Sequence, residues 1–295
     1  MEEKWPSKAN WVKERASSSP CLQRRINMVP FRPIVMTSPN TDYREYRPHP
    51  ALTSFIVCYW QSVPKEGGDG RTLTSIIVPD GCTDIIYDKD SLTGRYEWSY
   101  CGMFDDYFHA TSPGGAGSVT WGIRFYPGAY HRIIRDQASS FTGTTVLLDD
   151  LSPDLLRELT GLAESGMSVA SLDSFFLKKR GAHSASDRSI QANAAVYSIL
   201  EGKGIRSVKE IAAEQFLSTR TLTRLFSDYV GLTPKKFSAV IRFQSLVSDY
   251  VRSGGRNVGE ASASFYDQSH LYHDILKKTG KTPSQLKLSD FYNHF

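Results

Sequence analysis

The sequence predicts an α+β chain: a small N-terminal β-barrel or sandwich with trailing helices, then an all-α domain of two helix-turn-helix units joined by a long helix. Three observations predict it. From Tyr43 to Ile134, β-branched and aromatic runs such as "SFIVCYW" and "WGIRFYPG" are broken by Pro-Asp-Gly, Gly-Gly and Pro-Gly turns. From Asp187 onward, apolar residues recur at helical spacing almost to the end. Charge changes at the same point: after residue 186, 15 Lys and Arg stand against 10 Asp and Glu, leaving the preceding part close to neutral within a net charge of +4. A basic excess confined to one third of the chain points to a polyanionic partner there.

Taken in order, residues 1–35 are polar, contain "SSSP" and further prolines, and lack either period, so a poorly ordered extension is expected. Residues 36–180 form the β-rich domain, expected to sense a ligand or pair subunits. Its strands end before two trailing helices. The first, "PDLLRELTGLAESG", puts Leu155, Leu156, Leu159 and Leu162 on one face, and "SVASLDSFFLKKR" is the second. Such helices pack on the strands or against a second subunit. Residues 181–187, "GAHSASD", have the composition of a linker, and 188–295 form the helical domain.

No apolar run approaches the roughly 20 residues needed to cross a bilayer, and no charged-then-apolar leader is present, so a cytoplasmic protein with no membrane partner is expected. Cys21, Cys58, Cys82 and Cys101 lie far apart and read as free thiols rather than metal ligands.

The helical domain repeats internally. At an offset of 49 residues Leu222 falls on Leu271, Phe226 on Ile275, Gly231 on Gly280, Thr233 on Thr282 and Pro234 on Pro283. Upstream, Ala212 falls on Ala261 and Phe216 on Phe265. Each copy reads as helix, tight turn and second helix. In the first, Val208, Ile211 and Ala212 face inward, Ser218 caps the next helix, and Leu222, Leu225 and Phe226 face inward again. Thr219, Arg220, Thr223 and Arg224 are left pointing outward. In the second, Asp267 takes the cap, while Gln268, Ser269, Tyr272 and His273 take the outward positions. Between them, Pro234 to Arg252 reads as one helix with Phe237, Val240, Ile241, Val247 and Tyr250 inward. A length of about 28 Å at 1.5 Å per residue suits two probes one turn of B-DNA apart, about 34 Å.

The run "SVKEIAAEQFLSTRTLTRLFSDYVGLTPKKFSAVIRF" followed by "FYDQSHLYHDILKKTGKTPSQL" resembles the DNA-binding region of AraC/XylS-type transcription regulators over about the last hundred residues. Upstream, "VPDGCTDIIYD" and "WGIRFYPGAY" resemble the small β-rich, cupin-like sensor domain carried by one branch of that family. The resemblance implies a non-enzymatic, sequence-specific regulator, of activator type and cytoplasmic, associated with the bacterial nucleoid. Double-stranded promoter DNA and RNA polymerase are its implied partners, with a small-molecule effector and a homodimer as further ones and no cofactor. It makes Thr219, Arg220, Thr223 and Arg224 the first major-groove reader. Gln268, Ser269, Tyr272 and His273 become the second, with Lys277 or Lys278 approaching phosphates. Arginine donating twice to guanine, or glutamine bonding adenine, is the chemistry implied. Two departures from the family pattern, Ser264 in place of glycine and His273 in place of arginine, imply a weaker second reader. The family spacing puts Glu260 at a packing position, where the repeat favours Ala261.

Competing readings are weighed on the same residues. His270 and His273, with Asp267 or Asp274, form a metal-ligand alternative, but their repeat counterparts Thr221 and Arg224 are not ligands. A metal-dependent cupin-type enzyme would need close-set histidines, and His49, His109 and His131 are scattered. Alkyl-transfer DNA repair would need an activated thiol, and Cys82 and Cys101 lack basic neighbours in sequence. Trp60, Tyr87, Trp98, Trp121, Arg124 and Tyr126 are the candidate lining of a ligand pocket, with plain strand core as the alternative for each aromatic.

Overall fold

The computed structural model describes residues 31–65, 72–134, 136–180, 186–255 and 268–292. Among these described residues, eight strands build the β-rich part: β1 (Thr41–Tyr46), β2 (Ile56–Pro64), β3 (Leu73–Ile77), β4 (Thr83–Lys89), β5 (Tyr96–Cys101), β6 (Phe108–Ser112), β7 (Val119–Phe125) and β8 (Thr145–Leu147). Six form an antiparallel sheet in the order β1-β2-β7-β4-β5-β8, and β3 pairs with β6 as a separate two-stranded layer.

Side chains alternate across a strand, and this sheet uses the two faces differently. On one face Tyr59, Ile85, Tyr100, Ile123 and Phe125 are buried as apolar core. The opposite face carries Trp60, Ser62, Asp84, Asp88, Ser99, Thr120 and Arg124, and it faces the β3–β6 pair.

The apolar face is covered by helix. Helix α1 (Pro153–Glu164) buries Leu155 and Leu159. Helix α2 (Val169–Arg180) buries Leu172 and Phe176. The Phe176 ring lies 5.9 to 6.5 Å from those of Phe125, Phe55 and Tyr59, and Asp173 accepts hydrogen bonds from the Tyr59 hydroxyl (3.0 Å) and the His49 amide (2.8 Å). Of the two roles open to this helix, the structure shows packing on the strands.

The helical part begins with α3 (Asp187–Glu201), capped by Ser186 within the stretch read as a linker; residues 181–185 of that stretch lie outside the described residues. Helix α4 (Val208–Glu214) starts with a reciprocal Ser207–Glu210 capping box. Helix α5 (Thr219–Tyr229) is capped by Ser218, whose side chain accepts from the Thr221 amide at 3.1 Å. Helix α6 (Pro234–Arg252) opens on the expected proline behind a Thr233 cap, and α7 (Gln268–Thr279) follows. Ala195, Val196, Ile199, Ile211, Leu222, Phe226, Phe237 and Val240 are fully buried between the first four helices. Each of the larger side chains among them contributes on the order of 1.5–3 kcal/mol of apolar burial, so this four-helix unit is held by its core. Gly204 makes the packing possible: at φ +70° its backbone sits so close to α6 that a β-carbon would lie 2.1 Å from the Ser238 carbonyl oxygen. Arg242 of α6 donates to the Gly204 carbonyl at 3.2 Å.

The expected disorder up to residue 35 needs correction at its end. Ile34 and Val35 are 1% and 8% exposed, and Ile34 joins Val78, Phe243, Val247, Val251 and Phe291 in one cluster. Met36 bridges to Phe291, and the Tyr292 amide donates to the Val35 carbonyl at 3.0 Å. The sequence hid this because a five-residue run shows no period, and most of its apolar partners lie more than 200 residues away.

Candidate nucleic-acid interface and buried cavity

The outward face of α5 is built by subtraction. Leu222, Leu225 and Phe226 turn inward and are at most 1% exposed, which leaves Thr219, Arg220, Thr223 and Arg224 exposed on the other side. With Thr221 and Ser227 they line an open hollow of about 540 Å³. The Thr223 hydroxyl donates back to the Thr219 carbonyl at 2.8 Å. Two guanidiniums on an apolar-backed helix form an arrangement that can donate to base edges and phosphates.

Helix α7 exposes Ser269, Tyr272 and His273, with Ile275 buried behind them. Asp267, Ser264, Glu260, Ala261 and Phe265 lie outside the described residues, as do the positions expected to form the first helix of the second unit. The backbone of α7 begins at Gln268. The two basic residues at its end differ sharply: Lys278 is 4% exposed and paired with Asp274 at 2.7 Å, so it is a core residue rather than a phosphate contact. Lys277 is exposed, and its ammonium lies 3.2 Å from Asp106 of the loop before β6. No group of three or more His, Cys, Asp or Glu suited to a metal occurs among the described residues.

That loop grips the helical part at three further points. Lys236 of α6 pairs with Asp105 at 2.9 Å, the Tyr107 amide donates to the Lys277 carbonyl at 3.3 Å, and the Tyr107 ring lies against Gly280. A second contact is buried. Gln244 of α6, 5% exposed, accepts from the Ile34 amide (2.8 Å) and donates to the carbonyls of Ile34 (3.1 Å) and Pro79 (2.9 Å). Beside it Gly81 packs on Phe237, Val240 and Ile241.

Between the polar face of the six-stranded sheet and β3–β6 lies a cavity of about 410 Å³. At its floor the buried Arg124 guanidinium lies 3.1 Å from Asp80, 3.3 Å from Asp84 and 3.6 Å from Glu45. Asp84 also accepts from the Trp60 indole at 2.7 Å. Burial pushes the Asp84 carboxyl up to about 6 against the pull of Arg124. Burying a charge group of this kind does not in itself stabilise a fold, so its position beside a cavity is informative.

Of the residues expected to line a pocket, Trp60 and Arg124 do so. Tyr87, Trp98 and Trp121 occupy the opposite face of the same strands, where Tyr87 packs on Trp98 and Trp121 on Tyr46, and Tyr126 is buried beside Phe31. Sequence reasoning missed Asp80, Asp84, Asp88 and Glu97. Their signal was present: in "DIIYD" Asp84 and Asp88 share the parity that strand alternation assigns to one face. Cys58, Cys82 and Cys101 are buried, and desolvation raises their thiols, the reverse of what an alkyl acceptor needs.

Comparison with known proteins gives two family matches. Residues 211–288 match a helix-turn-helix domain, and residues 44–147 match a domain of unknown function, DUF6597. No curated protein sequence matches the chain. Among solved structures, two of ToxT from Vibrio cholerae align: one from strain O395 at 12% identity and TM-score 0.37, covering 86% of this chain and 95% of that one, and a second at 10% identity and the same score, covering 83% and 96%. Similarity at that level carries no argument about this chain.

Proposed function

We propose that this chain is a DNA-binding transcription regulator of AraC type, its helix-turn-helix module standing behind a β-rich N-terminal domain, with α5 and α7 as its two major-groove readers. The observation that carries this is the α5 face: Thr219, Arg220, Thr223 and Arg224 stand exposed together on a helix whose opposite side is fully buried. Arg220 and Arg224 donate to base edges, and Ser269, Tyr272 and His273 do the same work from α7, with Gln268 at its first turn. Lys277 contacts phosphate.

The β-rich domain regulates presentation. Its Asp106 holds Lys277, and the turn at Pro79–Gly81 and the segment at Ile34 are clamped by Gln244, so a change in the cavity walls reaches both α6 and α7. A small molecule in the cavity is the natural source of such a change, since Asp80 lies inside that turn and Val35 follows Ile34. A homodimer and RNA polymerase are further partners of a regulator of this type.

The test is a pair of variants measured against many duplexes. Arg220→Ala is expected to lose about 1–3 kcal/mol of discrimination at one base position. Lys277→Ala weakens all duplexes alike and lowers the salt slope by about 1. Equal losses for every sequence in both variants contradict the assignment.

A further inference from the structure

We propose that two arms of the β-rich domain act together as a caliper on the readers: they seat on the turn that ends each one and so fix the spacing of half-sites the chain accepts. This rests on the two-reader reading above and adds what sets the separation of the readers.

The arms spring from one pair of strands. β5 and β8 are paired from Ser99 opposite Leu147 to Cys101 opposite Thr145, and backbone pairing runs on past their ends. The Gly102 amide donates to the Thr144 carbonyl and the Gly143 amide to the Met103 carbonyl, both at 3.0 Å. Gly102 lies so close to Phe141 that a β-carbon on it would come within 1.8 Å of the Phe141 carbonyl oxygen. The Phe141 ring in turn stands edge-on against buried Tyr100 of β5 at 5.5 Å. The segment leaving β5, 102–107, and the segment entering β8, 138–144, are therefore tied to each other and to the sheet as one piece.

Each arm ends on one reader. The Thr142 hydroxyl donates to the carbonyl of Gly231, two residues past the end of α5, and a β-carbon on Gly231 would lie 3.1 Å from the Ala138 carbonyl oxygen. The Tyr107 ring packs on Gly280, directly after α7, where a β-carbon would come within 2.9 Å of it, and the Tyr107 amide donates to the Lys277 carbonyl at 3.3 Å. Gly231 and Gly280 are the same position of the two repeats. Glycine with positive φ is ordinary at a helix end, so the residue type alone says nothing. The particular feature is that one structural piece touches equivalent turns in both units, which holds one reader relative to the other by a path that does not run through the chain between them.

That other path is thinner at α7 than at α5. Leu222, Phe226 and Phe237 are fully buried and lock α5 on α6, the two phenylalanine rings meeting at 5.9 Å. Among the described residues, the buried contact of α7 with α6 is Leu246 against Ile275, with Leu271 and Leu286 partly buried around them. Asp105 and Asp106 add ion pairs to Lys236 and Lys277, but exposed pairs hold little, so the grip rests on Tyr107 and Thr142. Two linked binding modules gain most when the link holds them at the span of their sites, and a stiff link forfeits that gain when the span changes. Cys101 and Thr145, from which the arms leave, and Phe108, which follows Tyr107, line the cavity, so a change in its walls reaches both arms at once.

The full chain is titrated with the duplex it enriches from random sequence, with copies carrying two base pairs more or fewer between the protected patches, and with a copy in which one patch is scrambled. Two base pairs turn one patch about 70° out of line with the other, and wild type is expected to lose at least about tenfold in affinity on either altered spacing. Tyr107→Ala with Thr142→Ala is expected to bind the original spacing several-fold more weakly and the altered ones within about threefold of it, with single-patch affinity unchanged. Tyr107→Phe with Thr142→Ser keeps the ring and the hydroxyl and should keep the wild-type preference. If the alanine pair does not fold, Tyr107→Ala alone, at a residue 36% exposed, carries the same expectation. A wild type indifferent to spacing, or alanine variants that discriminate as wild type does, overturns the caliper and leaves the two readers standing. Tighter binding of the original spacing by the alanine variants, or a loss as large on the single patch as on the full duplex, overturns it as well. No enrichment of any duplex, or one protected patch alone, refutes the two-reader reading and this inference with it.

Discussion

Replacing Gln244 with alanine removes one side chain and strands three backbone groups at once. The Ile34 amide, the Ile34 carbonyl and the Pro79 carbonyl each lose a partner at 2.8 to 3.1 Å, in a site where Gln244 is 5% exposed. A net hydrogen bond is worth about 1 kcal/mol, and an orphaned buried group costs about 1–3 kcal/mol, so roughly 3 kcal/mol is expected from the three together. For a chain of this size that corresponds to a fall in Tm of about 6 °C or more. Because Pro79 belongs to the β-rich part, Ile34 to the segment that precedes it and Gln244 to α6, the loss also loosens the joint between them. Amide hydrogen exchange at Ile34 should accelerate by more than a hundredfold, while Ile211 and Leu222 in the core between α3 and α6 should change less. Gln244→Glu is a sharper variant: it keeps the acceptor for the Ile34 amide but turns a carboxylate towards two carbonyls, and it should be at least as destabilising. A Tm within about 2 °C of wild type for Gln244→Ala, or unaltered exchange at Ile34, refutes the reasoning that this glutamine holds the two parts together.

Two further outcomes follow from charged groups. Asp106→Asn removes an exposed pair with Lys277, which is worth about 0–1 kcal/mol, so Tm should move by less than about 2 °C; DNA affinity should rise a few-fold with base preference unchanged, and an unchanged or lower affinity contradicts the idea that Asp106 competes with phosphate. Asp84 has a folded value of about 6, above its unfolded one, so the folded state binds the proton more tightly and this group's contribution to stability falls as pH rises from about 4 to about 6. Arg124, Asp80 and Trp60 face it and remain in Asp84→Asn, which should flatten that part of the stability profile; an unchanged slope contradicts the assignment.

Local signals read well from the sequence where the chain supplies them in adjacent residues. Ser218 before an apolar helical period and Pro234 behind Thr233 fixed where α5 and α6 begin, because capping and the proline ring act within one turn. The outward residues of α5 followed from the same period. The cavity did not follow, because aromatic composition alone does not say which face of a strand a residue takes. Parity does: Trp60 and Arg124 fall on the polar face, whereas Tyr87, Trp98 and Trp121 fall on the other. The contacts of Ile34, Gln244 and Lys277 were hidden for a different reason. They join segments up to 210 residues apart, and no local pattern encodes a pairing at that separation.

Footprinting of the full chain on a duplex enriched from random sequence bears most directly on the claim that α5 and α7 read DNA together. Two protected major-groove patches on one side of the duplex, about 10 base pairs apart, are the expected result, with Arg220→Ala erasing base preference in one patch and Tyr272→Ala weakening the other. A single patch unaffected by Arg220→Ala, or no enrichment of any duplex, contradicts it.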